Sequence, residues 1–258
     1  SRPPHMHLEP DCGYGYIDED GMVTVHSKSI GIHLHMPMIA GGIGVPMEEL
    51  RLVQNHAGGT FGYKFSPTNE ALIGAAVKIT GRPVSLVFNQ FQNITYTGKR
   101  SPAFMHIKLG ADKDGKLLAM WGDNYVDHGP YSEFGDLLTM RLSQFTGAGY
   151  GIPSIRNKSQ TVFTNHAWGS AFRAYGSPQS FMGSDIAIDC LAAKMGIDPF
   201  EMRAMNCYKA SEHTTIPTGY APDVYCEEEL FDKARPLYEA AKKRVAEKNA
   251  ASDGRYKY

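Results

Sequence analysis

The chain has 258 residues, 42% of them hydrophobic, and a formal charge of −1 from 26 Lys and Arg against 27 Asp and Glu. That balance, with no long basic run, argues against nucleic acid or an anionic membrane surface as the main partner. No apolar stretch approaches the roughly 20 residues of a membrane-spanning helix, and the length suffices for one ample core or two modest ones.

In chain order, the sequence opens with "SRPPHMHLEP", without an initiator Met or a signal peptide. It closes on "SDGRYKY", a turn followed by the first residues of a strand, so the expectation is a piece of a longer polypeptide. His5, His7 and Glu9 alternate in a way that could chelate a metal, but the favoured reading is a structural strand. "TVHSKSIGIHLH", Thr24 to His35, and "EELRLVQNH", Glu48 to His56, read as strand material. "RPVSLVFN", Arg82 to Asn89, is a β-rich run behind a Gly-Arg-Pro punctuator. From Ala103 to Gly129, apolar and polar residues alternate on both sides of Asp112 to Gly115. This is a hairpin pattern in which Gly115 supplies the positive φ.

Three Pro-led starts announce helices: Ser66-Pro67, Ser177-Pro178 and Asp198-Pro199, each an N-cap residue before a proline at the first helical position. The first is expected to stop at Gly81 and the second at Gly196. A fourth stretch, from Glu227 to about Lys248, contains Pro236 and reads as two helices or one kinked one. No repeat, low-complexity segment or linker divides the chain, so the expectation is one α+β domain over residues 1–258, with mixed sheets and hairpins beside helices. Cys12, Cys190, Cys207 and Cys226 lack the C-x-x-C spacing of a zinc or redox site and read as reduced thiols of a cytoplasmic protein.

Two helix approaches share a pattern. "GGTFGYKFSP", Gly58 to Pro67, and "GSAFRAYGSP", Gly169 to Pro178, are glycine-flanked loops with a Phe followed within three residues by a cation, Lys64 or Arg173. Each leads through Ser-Pro into a helix. Glycines let backbone N–H groups approach a ligand, and a helix start adds partial positive charge. The pair therefore reads either as ordinary turns before helices or as two grips on one large anionic cofactor. A P-loop is ruled out because Tyr63 separates Gly62 from Lys64. "GAGYG", Gly147 to Gly151, is not a dinucleotide fingerprint, because its third Gly comes one residue early and Pro153 follows.

"GGTFGYKFSPTNEALIGAAV", "YTGKRSP", "VDHGPYSEFGDLLT", "GAGYGIP", "TNHAWGSAFRAYGSPQS" and "DPFEMRAMNCY" together resemble the molybdenum-binding subunit of the xanthine oxidase family, with particular similarity to the aldehyde oxidoreductases of sulfate-reducing bacteria. The resemblance runs over essentially the whole chain. It implies a molybdopterin that holds molybdenum, in a cytosine dinucleotide form or without that extension. It also implies oxidation of a small aldehyde to a carboxylic acid with water as the oxygen source. Phe61 and Gly62 match the family's first cofactor loop, and Ala171, Phe172 and Arg173 match the second, with Arg173 placing a positive charge near the metal's oxygens. A structural ion pair is the alternative role for Arg173.

Purine-oxidising members carry a glutamate directly after the lysine of the first loop, where this chain has Phe65. A glutamine that hydrogen-bonds a metal oxygen falls on Ile30 by a gapless count. An apolar wall leaves the polar atoms of a purine unpaired, at about 1–3 kcal/mol each. Phe65, Phe134, Leu137 and Tyr175 match the hydrophobic channel of the aldehyde enzymes, although each taken singly reads equally as core packing. His33, His35, His128 and His166 read as hydrogen-bonded core or channel-edge residues, and Met182 and Met195 as packing.

The family's general-base glutamate lies in a motif beyond this segment, and its 2Fe-2S clusters sit in upstream modules, so the resemblance implies no catalytic residue and no protein metal ligand in this chain. It implies as partners the remaining domains of the same enzyme and, when intact, a homodimer. By itself this piece is expected to bind no cofactor stably and to turn nothing over. Two further readings stay open: an N-heterocycle hydroxylase of the same family, and a folded structural or assembly domain with no cofactor of its own.

Overall fold

A computed structural model describes residues 2–131, 133–212, 219, 222–255 and 257 of the chain. Strand β1 (Cys12–Ile17) turns back into β2 (Val23–Ser27) as an antiparallel hairpin. Asp18 holds that turn. Its Oδ1 accepts the N–H groups of Asp20 and Met22, and its Oδ2 accepts the Thr24 hydroxyl, an arrangement in which a short carboxylate satisfies the turn's own backbone. Helix α1 (Ile32–Ile43) then carries the chain to β3 (Leu50–Gln54), which pairs parallel with β2. Helix α2 (Thr68–Thr80) and β4 (Val84–Val87) follow, and β4 lies antiparallel against β1, so the sheet order is β3-β2-β1-β4. Next come α3 (Gln90–Tyr96), β5 (Ala103–Ala111), β6 (Leu117–Gly129), α4 (Gly135–Phe145) and β7 (Ser154–Phe163), the three strands forming a second sheet in the order β5-β6-β7. Helices α5 (Ser177–Met195), α6 (Pro199–Asn206) and α7 (Glu227–Ala250) complete the chain. The mixed sheets, hairpins and helices agree with the expected α+β class.

The chain divides into two compact units. The first comprises residues 1–104, 124–142 and 159–179, and the second residues 105–123, 143–158 and 180–258. In the first, Val23, Val25, Leu50 and Leu52 of the sheet pack with Ile39 and Ile43 of α1 and Ile73 and Val77 of α2. In the second, Leu117, Met120, Tyr150 and Ile152 pack with Ile188 and Ala192 of α5 and Met202 of α6. Burial of such side chains contributes about 1.5–3 kcal/mol each before chain entropy is counted. The buried Asn206 side chain ties this second core to the hairpin, accepting from Leu117 N–H and donating to the Gly115 carbonyl.

The hairpin forms as expected, with Gly115 at φ +93°. Strands at Leu50–Gln54 and Val84–Val87 also match, and the first and second helices end at Gly81 and Gly196, both with positive φ. Asp198 caps α6 by accepting the Phe200 N–H at 2.9 Å, with Pro199 at the first helical position. Helix α7 is one continuous helix through Pro236. Replacing Asp198 with Ala removes the cap together with the carboxylate's bonds to Tyr238 and Lys242 and should cost at least about 1 kcal/mol, read as a lower midpoint in urea denaturation; an unchanged midpoint would show that none of them contributes.

Other expectations fail for identifiable reasons. Ile32 to His35 is helix, not strand: Ile32, Met36, Ile39 and Ile43 share a helical face toward the core, and Pro37 inside the helix hides that period from a local reading. Residues 5–9 form no strand, because their side chains and backbone are spent on the two glycine loops described below. Ser66 does not cap α2. The helix begins at Thr68 after Pro67, and the Ser66 hydroxyl donates to Glu133 at 2.6 Å. Ser177 lies inside the first turn of α5 and does not precede it. His33 and Met182 are exposed and not packed. Tyr256 and Tyr258 of the expected C-terminal strand lie outside the described residues.

Candidate cofactor-binding site

The two glycine loops meet in the first unit. Gly62 sits at φ +105°, and a Cβ there would lie 2.7 Å from the Ala171 carbonyl oxygen, so only glycine lets the first loop touch the second. Across the same seam the Arg173 N–H donates to the Phe61 carbonyl at 2.7 Å. Phe61 itself is held at φ +47° and is 44% exposed. A left-handed conformation is costly for a side chain of this size and is seen where the surroundings over-determine it.

The loops are locked from below. Tyr63 is buried and donates its hydroxyl to Asp11 at 3.0 Å. Burial, reinforced by the Glu70 carboxylate, raises Asp11 to about 7. Phe172 lies between the His5 ring, stacked at 4.1 Å, and the Arg100 guanidinium, 4.1 Å from the ring centroid. Arg100 also donates to the Arg173 carbonyl at 2.8 Å. A parallel bridge joins Lys99 to Gly169, with the Ser170 N–H donating to Lys99 O.

The two loop cations have different fates. Lys64 is buried and is ion-paired with Glu9 at 2.6 Å, so it serves the fold and is not offered to a ligand. Burial pushes the Glu9 carboxyl up, but its bonds to Lys28, Lys64 and the Gly58 N–H outweigh that and bring it to about 2. Arg173 is exposed, and its guanidinium makes no hydrogen bond or ion pair among the described residues. The structural ion pair considered for it is therefore absent there. The backbone N–H groups of Phe61, Ala171 and Phe172 likewise meet no acceptor among the described residues. A guanidinium and several amides without partners among the described residues, carried on the same two loops, make a donor set suited to an oxygen-rich anionic group.

Three of the four expected channel residues, Phe65, Phe134 and Tyr175, gather. Phe65 and Phe134 meet edge to face at 5.5 Å, and His35 packs edge-on to Phe65 at 5.6 Å. The Tyr175 hydroxyl donates to the Phe134 carbonyl at 2.6 Å. Leu137 follows on α4 and is exposed, as is Ile30, whose N–H donates to the Lys64 carbonyl. Inspection of the sequence missed Glu133, whose burial raises its carboxyl to about 7. Nothing local announces it, since its partner Ser66 is distant in the chain. The histidines resolve individually: His35 Nδ1 is 2.5 Å from the Ser29 hydroxyl, His128 Nδ1 is 2.8 Å from the Ser101 hydroxyl, and His166 leans out from the buried Asp127. Among the described residues, no three His, Cys, Asp or Glu side chains are grouped to hold a metal ion.

Glu133 has a consequence for stability. In the fold it keeps its proton up to about pH 7, against an ordinary value of 4.5. The folded state therefore binds more protons between those values, and the contribution is complete at acid pH and is lost as pH rises through about 7. Glu133→Gln should flatten that descent in thermal melts taken from about pH 4 to 8. Asp11 would retain its own descent of the same sign; an unaltered profile would show that Glu133 titrates normally.

The two glycine-seamed loops carry donors without partners among the described residues and lie next in the chain to the Phe65–Phe134 ring pair, and the chain belongs to the Molybdopterin cofactor-binding domain family, whose model matches residues 1–207. It is 54% identical over 251 residues to an aldehyde oxidoreductase of Megalodesulfovibrio gigas, which aligns with 97% of this chain. It is 32% identical over 208 residues, 81% of the chain and 49% of the relative, to the large molybdopterin subunit of a nicotinate dehydrogenase from Eubacterium barkeri. The crystal structure of the aldehyde oxidoreductase from Desulfovibrio desulfuricans superposes with a TM-score of 0.88 at 57% identity, covering 95% of this chain and 27% of that one. The chain thus spans 28% of the length of the Megalodesulfovibrio enzyme. The donor set described above fits a molybdopterin: free amides and a free guanidinium face oxygen ligands better than they would an apolar or cationic group.

Proposed function

We propose that this chain is the cofactor-holding part of a molybdenum-dependent aldehyde oxidoreductase, in which an aldehyde and water become a carboxylic acid with release of two protons and two electrons. The bound molybdenum–pterin supplies the two-electron oxidation. Phe61, Gly62, Ala171, Phe172 and Arg173 hold and polarise it, and Phe65, Phe134, Leu137 and Tyr175 form the apolar wall that admits an aldehyde. The observation that carries the reading is that the Arg173 guanidinium and the amides of both loops have no partner among the described residues, supported by 54% identity to an aldehyde oxidoreductase.

Residues 1–258 act as one cofactor-binding domain, and the general base and the 2Fe-2S clusters that accept the electrons belong to other domains of the same enzyme. The pterin is of the cytosine dinucleotide form, the enzyme works as a homodimer in the cytoplasm, and no residue of this chain ligates the metal. No helix among the described residues is long and apolar enough to cross a membrane. The similarity to a nicotinate dehydrogenase subunit favours one second reading, an N-heterocycle hydroxylase. The intact enzyme tests both. It should contain molybdenum and pterin, place oxygen-18 from labelled water into benzoate, and have a higher kcat/KM for benzaldehyde than for nicotinate. A reversed preference would establish the second reading, and purified enzyme without molybdenum would overturn both.

A further inference from the structure

The segment first read as an alternating strand does something else. Running from residue 5 to 11, it touches the second loop at one end and the first loop along the rest. His5 Nε2 lies 2.6 Å from the Ala171 carbonyl oxygen, and its ring stacks on Phe172. Glu9 answers Gly58 in both directions: its N–H donates to the Gly58 carbonyl, and its Oε2 accepts the Gly58 N–H at 2.7 Å. The same carboxylate holds Lys64 and Lys28. Asp11 accepts the Tyr63 hydroxyl.

The chemistry of His5 follows from its partner. A carbonyl oxygen can only accept, so Nε2 carries the proton. Nδ1 is buried with no hydrogen-bond partner among the described residues, and burial lowers the imidazole to about 4. The ring is therefore neutral, in its Nε2–H form. A trans peptide is planar, with C=O and N–H pointing opposite ways. Fixing the Ala171 carbonyl on His5 consequently turns the N–H of the same peptide, that of Phe172, away from the strap. That N–H is one of the amides with no acceptor among the described residues.

We infer that residues 5–11 form a strap that sets the register of both cofactor loops, and that His5 is the positioning residue that aims the Phe172 N–H at the cofactor. The inference rests on the reading of the loops as cofactor-binding, and the test separates the two. In the intact enzyme, His5→Gln keeps a donor of similar reach and His5→Met fills similar space without one. The readout is the rate at which molybdenum and pterin leave the protein in mild denaturant, followed by metal analysis of desalted samples, with Gly62→Ala as the arm that tests the loops. His5→Met should lose cofactor about fivefold faster than His5→Gln, the worth of one buried hydrogen bond. Equal rates for the two, with faster loss in Gly62→Ala, would overturn the strap and leave the loop reading standing. Wild-type retention in all three would overturn the loop reading and the strap with it. A His5→Met variant that fails to fold while His5→Gln folds would assign the bond to the fold and also overturn the proposal.

Discussion

In the intact enzyme, Arg173→Met is expected to lower kcat/KM for an aldehyde about a hundredfold, the usual cost of removing one oriented electrostatic contact to developing charge, about 3 kcal/mol. The substitution keeps side-chain length and removes the guanidinium. Because that guanidinium makes no ion pair among the described residues, no partner charge is stranded and the fold loses nothing by the change. The backbone of residue 173 keeps both its bonds, the N–H to Phe61 and the carbonyl to Arg100, so the loop seam survives. The effect should therefore fall on turnover, with molybdenum content and melting temperature near wild type. Steady-state kinetics with metal analysis on one preparation decides it, and unchanged turnover at full occupancy would make Arg173 a bystander.

Phe65→Glu is expected to lower the kcat/KM ratio for benzaldehyde over a hydrogen-bonding heterocycle about tenfold, equivalent to about 1.4 kcal/mol. Phe65 meets Phe134 and His35 edge-on, so a carboxylate there would be desolvated against rings. It would either take up a proton or draw in water, and both outcomes disfavour an apolar guest. The Glu133 carboxyl, joined to the next residue through Ser66, adds a second acid nearby, which further favours the protonated form. The change lies beyond Gly62, so the seam with Ala171 stays and molybdenum content should hold. An unchanged ratio would return Phe65 to core packing.

The elements that rest on local chemistry were legible. The Asp112–Gly115 hairpin, the Asp198-Pro199 start of α6 and the stops at Gly81 and Gly196 each depend on residues a few positions apart. Helix α3 was missed although its signal was present, since Asn89 and Gln92 form a reciprocal capping box. Strands β1 and β7 and helices α1 and α4 were not read, because two glycines, an internal proline or mixed polarity blurs their periods. Ser66 shows the converse failure: a residue with every local mark of a helix cap gives its hydroxyl to a carboxylate across the fold.

By itself, the sequence determined the two glycine loops, the residues that sit on them and the apolar replacement at Phe65, because backbone freedom and side-chain chemistry are properties of a residue wherever the chain puts it. Tertiary structure alone decided which loop cation is available. Lys64 and Arg173 stand in matching places, yet Lys64 is consumed by Glu9, 55 residues away, while Arg173 finds no charge partner among the described residues. It also decided that His5 and Glu9 strap loops and do not form a strand. An ion pair or a shared carbonyl depends on distance in space, and loop closure brings such groups together at a cost that grows only slowly with their separation along the chain.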